Sequence, residues 1–405
     1  MNMIEINKSL FSKLYFEAYR DNSLRYHACI ETEEEDKKFI KSVRSVFTLQ
    51  SLELKVAIIV MQDDSQFLAI IGGHQFSSLP PDVKLQRLDE SAGVVTVLGG
   101  EGALSPKDSY NFMALNWTTV KSQENGEVKN LTRVSKDEVI EIFEEFSFYR
   151  IDSLPFPPIN GGEDRFLLLL LLLLNIGEKE KLALKETFLD IIVNLEHFPF
   201  HLLHSAFISQ TWQYSYIDIY RCIEVLYPIP RMIELRARME ARLGDDFKGR
   251  LLAINIFEDV NQATGWREIE LNGLERLIKL CSKEKITSIF NVLVEARIVN
   301  EDDIEIINEI SKTEIMRLGR MKPLLETFRD YLSGLENADL DKVSEYKSKR
   351  SAALIAGALY SARNKLVHFR LPSEAYERDN IKILFKVILC ILNELYVKFQ
   401  AEAYA

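Results

Sequence analysis

Leu154-Pro-Phe-Pro-Pro-Ile-Asn-Gly-Gly162 divides the chain into two textures. Three prolines and two glycines in nine residues can continue neither a helix nor a sheet. Upstream, Leu52, Leu54, Val56, Ile58 and Val60 alternate with Glu53, Lys55, Ala57 and Ile59. Asp63-Asp64-Ser65 offers a turn, and Phe67–Ile71 supplies a second apolar run, so the pattern reads as a hairpin. Val94–Leu98, closed by Gly99-Gly100, predicts another strand, and so does Tyr110–Val120 with Trp117. Ser135-Lys-Asp-Glu138 forms a capping box ahead of Val139, Ile140, Ile142, Phe143 and Phe146, which predicts one helix.

Downstream of Gly162 the periodicity turns helical and stays so. The predicted helices are 164–176, 178–196, 202–227, 230–243, 266–282, 303–316, 324–335, 351–370 and 373–400. The fold class is therefore α+β. A β-rich, largely antiparallel α+β domain (1–152) precedes a Pro/Gly linker (153–162) and an all-α region (163–405).

The chain has 405 residues, with 50 Lys plus Arg against 61 Asp plus Glu, a net charge of −11. Its 47 % hydrophobic and 27 % charged content is that of a globular protein, and its length predicts about two domains. An acidic total argues against coating nucleic acid by bulk charge, but leaves room for a local basic site. Cys29, Cys222, Cys281 and Cys390 are far apart and form no CxxC pair, so neither a zinc ribbon, a redox dithiol nor a disulfide framework is indicated. The start, Met1–Arg20, mixes charges and lacks the apolar run of a signal peptide. Phe166–Leu174 contains eight consecutive leucines, yet nine helical residues rise only about 13–14 Å, which predicts a buried helix and not a membrane span. A cytoplasmic protein is expected.

Three polar clusters carry little. Gly99-Gly-Glu-Gly102, followed by Ser105-Pro-Lys-Asp-Ser109, lacks the Gly-Lys-Ser/Thr ending of a phosphate cradle and reads as a hairpin loop. His197, His201 and His204 have helix-face spacing, but Pro199 interrupts them and no fourth ligand is near, so no metal is expected. Glu301-Asp-Asp-Ile-Glu305 reads as a charged helix start.

The segment 344–370 differs. Between Lys347 and Ser373 stand six Lys or Arg residues and no Asp or Glu. This local excess reaches neighbours within about 10 Å, far enough to hold a phosphate backbone. Ala352, Ala353, Ala356, Gly357, Ala358 and Ala362 allow close helix approach, and Leu354, Ile355, Leu359, Leu366 and Val367 form an apolar stripe. Pro372 ends the helix, leaving Arg363, Asn364 and His368 in its last turns. Asn364 and His368 share a face. Arg363 lies about 140° away, within reach of the same pocket by its long side chain.

Arg363-Asn-Lys-Leu-Val-His368 resembles the signature of the HEPN family, an Arg and a polar residue followed by a His near a helix end. Trp212–Tyr227 is similar to an early HEPN helix with an inward acid, Glu224, and Asp379–Gln400 to the terminal bundle helix. The resemblance spans about residues 200–400, with extra helices at 240–310. It implies a metal-independent endoribonuclease with no cofactor. His368 would take the proton of a ribose 2′-hydroxyl, and Arg363 would hold the phosphoryl oxygens. Asn364 would orient His368 or a phosphate. Lys347, Lys349, Arg350, Lys365 and Arg370 would position the RNA backbone, with Glu224 in support. A 2′,3′-cyclic phosphate and a 5′-hydroxyl would result. The resemblance further implies a homodimer with a composite cleft, and a toxin or anti-phage effector whose N-terminal domain senses a trigger or meets an antitoxin. The alternative is a non-catalytic helical sensor or adaptor. Basic residues near a helix C-terminus are favoured by the helix dipole in any case.

Overall fold

A computed structural model describes residues 28–30, 33–76, 78–105, 132–134, 143–230, 270–299, 348–367 and 375–404. The fold is α+β and separates into two compact units, Met1–Leu182 and Ala183–Ala405. The 153–162 stretch and the leucine helix after it both fall inside the first unit.

In the first unit, β1 (Ala28–Ile30) pairs in parallel with β6 (Thr132–Val134). The main sheet has five antiparallel strands in the order β2 (Val43–Ser51), β3 (Leu54–Met61), β4 (Gln66–Ile71), β7 (Phe146–Ser153) and β5 (Lys84–Leu88). The expected hairpin is β3–β4, with Ile58 opposite Leu68. Its turn is built as the sequence indicates: the Asp63 carboxylate accepts from the Ser65 amide at 3.0 Å, and Asp64 takes a left-handed φ of 66°.

Ala57, Ile59, Ala69 and Ile71 pack with α1 (Glu34–Ser42) and α2 (Ala92–Gly100). Phe39 and the stacked pair Phe67–Phe148 extend that core. The two helices are pinned together by a buried bond, in which the Gly93 amide donates to Asp36 Oδ1 at 2.9 Å. A Cβ at residue 93 would stand 3.0 Å from the Asp36 backbone, so any other residue would have to push the two helices apart slightly.

α2 overturns one expectation. Val94–Leu98 is helical, not a strand, because Ser91 caps it by accepting from the Val94 amide and the whole segment is buried. A helix buried on all sides shows no alternation and resembles an inner strand. Gly99–Gly102 is consequently a helix end, with Gly102 at φ 77°, instead of a hairpin loop. Phe146 starts β7 rather than closing a helix stripe. Tyr110–Val120, residues 135–142 and residues 106–109 lie outside the described residues.

α3 (Glu163–Leu173) contains the leucine run, and every residue from Arg165 to Leu173 is buried. It touches β2. Its entrance is specific: Glu163 Oε2 accepts from the Gly161 amide at 2.8 Å, and the Arg165 guanidinium lies 4.0 Å from the centre of the Phe156 ring. A Cβ on Gly162 would collide with the Pro157 carbonyl. A short helix, α4 (Lys179–Leu182), ends this unit. Among the described residues no helix is long and apolar enough to cross a membrane.

The described residues of the second unit are mainly helical. They comprise α5 (Lys185–Asn194), α6 (Phe200–Ile208), α7 (Trp212–Glu224), α8 (Glu270–Ile278), α9 (Lys283–Glu295), α10 (348–367) and α11 (Ala375–Tyr404). The helix expected over 202–227 is broken at Ser209–Thr211, where Thr211 caps α7 by accepting from the Tyr214 amide. The 178–196 helix is likewise split into α4 and α5. α9 was not anticipated, although Ser282 caps it. Residues 303–316 and 324–335 lie outside the described residues, as do 231–243 and Glu301–Glu305.

α7 is packed against α6 and α11. Trp212, Tyr216, Ile219 and Ile223 of α7 join Phe188, Phe207, Phe385 and Leu392 in the core. Trp212 and Phe188 each meet Phe385, at ring-centre distances of 5.4 and 6.3 Å. Cys222, Cys281 and Cys390 are free thiols, and burial pushes the Cys281 thiol up to about 12.

Candidate functional site

α10 is amphipathic, as its sequence requires. Ala352, Ile355, Ala356 and Leu359 are buried, while Lys349, Arg350 and Lys365 are exposed. The small-residue face divides: Ala352 and Ala356 are spent within the chain, whereas a Cβ on Gly357 would meet open space. One bond fixes the helix to α7. The wholly buried Tyr216 hydroxyl donates to the Leu359 carbonyl at 2.7 Å.

One turn further on, Arg363 reaches into a polar cluster between α7, α8 and α10. Its Nη2 lies 3.5 Å from Glu224 Oε1, and its Nε lies 3.2 Å from Glu270 Oε1. Nη1 donates to Asn364 Oδ1 at 3.3 Å. All three guanidinium nitrogens thus face acceptors. The cluster is not sealed, since the side chains of Arg363, Glu224 and Glu270 are 24 %, 31 % and 24 % exposed.

The scaffold beneath it follows from helical spacing. Tyr220, Glu224 and Tyr227 recur at i, i+4 and i+7, which aligns them on one side of α7 and the turn after it. The Tyr227 hydroxyl donates to the Tyr220 hydroxyl at 3.0 Å. Gly273 lets α8 approach, because a Cβ there would stand 3.2 Å from Tyr227 Cγ. Arg221, the neighbouring base, is taken by Asp218 at 3.2 Å, and Asp218 also accepts from Ser205 Oγ at 2.8 Å, which ties α6 to α7.

The electrostatics are unbalanced. One guanidinium faces two carboxylates, a local sum of −1. Burial lifts the Glu224 carboxyl above its ordinary range; Arg363 pulls it down, and Glu270 pushes it up again. Burial also raises both phenols, so Tyr220 and Tyr227 stay protonated and are not bases; in their shared bond Tyr227 donates and Tyr220 accepts. Chemically, the arrangement offers a planar cation for paired oxygens beside a carboxyl that holds its proton more tightly than usual.

Of the residues named from sequence, Arg363, Asn364 and Glu224 come together here. Lys349 and Arg350 stand about 20 Å away along the helix axis, too far to share a phosphate with Arg363. Lys347, His368 and Arg370 lie outside the described residues. Sequence reasoning missed Glu270 and the tyrosine pair. The spacing of Tyr220, Glu224 and Tyr227 was readable, whereas nothing local marks Glu270, which arrives from another helix. His201 is exposed and His204 buried, both on α6. No group of three or more potential metal ligands occurs among the described residues. No family model, curated protein or solved structure matches the chain.

Proposed function

We propose that the chain is a metal-independent endoribonuclease of the HEPN type, built as a β-rich regulatory domain followed by an HEPN-like helical bundle over about residues 200–400. His368 acts as base on a ribose 2′-hydroxyl, and Arg363 receives the charge that develops on the phosphoryl oxygens. The P–O bond to the 5′ oxygen breaks as that oxygen takes up a proton from water, leaving a 2′,3′-cyclic phosphate and a 5′-hydroxyl. Lys365, exposed one residue after Asn364, contributes a contact to the RNA backbone. A second copy completes the cleft, and the biological role is that of a toxin or anti-phage effector.

The observation that carries this reading is the setting of Arg363. It sits in a partly open polar cluster with Glu224, the inward acid named in a supporting role, and not in the apolar core. A second reading has one observation in its favour: all three nitrogens of Arg363 already face protein acceptors, as in a structural strut of a non-catalytic adaptor. Induced expression separates the two. The nuclease reading expects growth arrest that both Arg363→Ala and His368→Ala abolish. It also expects purified protein to cut RNA in EDTA and leave cyclic-phosphate ends. Growth arrest untouched by either substitution, or cleavage that stops when metal is chelated, overturns it.

A further inference from the structure

We propose that Glu270 is a displaceable latch on Arg363, so that the site accepts a phosphodiester only when this carboxylate withdraws. The inference rests on the nuclease reading and adds its regulation. A phosphate binds an arginine best through two parallel N–H groups on one edge of the fork. On the Nε–Nη2 edge, Glu270 stands at Nε and Glu224 at Nη2. A phosphate that takes this edge must therefore replace at least one carboxylate.

The two acids are not held alike. Glu224, 3.5 Å from Nη2, belongs to α7, which is packed against α6 and α11. Glu270 Oε1 is shielded from water and 3.2 Å from Nε, yet among the described residues it has no hydrogen-bond partner. A shielded carboxylate oxygen with a charge contact but no hydrogen bond is poorly satisfied where it is. It is the acceptor that leaves at least cost. Glu270 belongs to α8, whose close approach to Tyr227 depends on Gly273. A small shift of α8 would therefore carry the carboxylate off Arg363 while Glu224 keeps the guanidinium aimed.

The test is the affinity of the full chain for a short fluorescent 2′-O-methyl RNA, which can bind but cannot be cut. Removing one competing, partly exposed charge is expected to tighten binding about fivefold in Glu270→Gln. Glu275→Gln changes the net charge equally on the same helix, but removes only a partner of Lys279, and should leave affinity unchanged. The gain should vanish in the double variant Glu270→Gln/Arg363→Ala. Binding by Glu270→Gln no tighter than by Glu275→Gln, or a gain that survives loss of Arg363, overturns the latch. If Glu270→Gln does not fold, Glu270→Asp, one methylene shorter, must bind more tightly than the unaltered chain. Failure of the unaltered chain to cut unmodified RNA would instead sink the nuclease reading itself, so the two failures are distinct.

Discussion

Tyr216→Phe deletes a single oxygen, and its effect can be worked out from the site's geometry. The hydroxyl donates to the Leu359 carbonyl at 2.7 Å from a fully buried position. In an α-helix the carbonyl of residue 359 also accepts from the amide of residue 363. The tyrosine thus holds the turn that presents Arg363. Burial keeps its phenol far above the ordinary range, so it donates at any working pH. Losing such a bond costs about 0.5–1.5 kcal/mol, rising to about 1–3 kcal/mol if a buried group is left with no partner. The Leu359 carbonyl keeps its helical partner, so about 1 kcal/mol is expected. At about 1.4 kcal/mol per factor of ten, amides of α10 should exchange about fivefold faster. Hydrogen-exchange mass spectrometry would compare peptides from 352–367 with peptides from α11. Unchanged exchange in α10, or equal acceleration in α11, would refute the claim that this bond acts locally on the Arg363 turn.

The remaining expectations concern charge and backbone. Glu224 has a raised carboxyl because burial outweighs the pull of Arg363. Its stabilising form is the protonated one, fully present below the unfolded carboxyl value and lost as pH rises through the folded one. Melting temperature should therefore fall less steeply with rising pH across the mildly acidic range in Glu224→Gln than in the unaltered chain, and a steeper fall contradicts the assignment. Gly93→Ala should cost about 1–3 kcal/mol in urea unfolding, since its methyl meets Asp36 backbone that cannot rotate away. Gly357→Ala has open space in the middle of α10 and should gain about 0.5–1 kcal/mol in the same assay.

Where the sequence was legible, the information was local. Alternation and an Asp-Asp-Ser turn announced β3–β4, and the eight leucines announced a buried helix. Where it was not, the deciding contact came from far away. Val94–Leu98 is a helix partly because Asp36, 57 residues earlier, receives the Gly93 amide. β2 was missed because its sequence, VRSVFTLQS, alternates weakly and its burial is mixed. At the site, Glu224 could be seen from the inward face of α7. Glu270 could not, because its role exists only once α8 is docked.

The leucine helix has a consequence that begins with its sameness. Eight identical side chains bear no mark of which rung faces which neighbour, and turning them by one step, about 100°, brings round the same surface. Phase must be supplied from outside the run. It comes from the doorway, where Glu163, Arg165 and the bare Gly162 each fit one place. The helix is set from that end like a screw started in its thread. A leucine gained or lost would leave the doorway seated and pass the slack to the exit, where Asn175 at φ 56° and Gly177 at φ 143° already turn the chain.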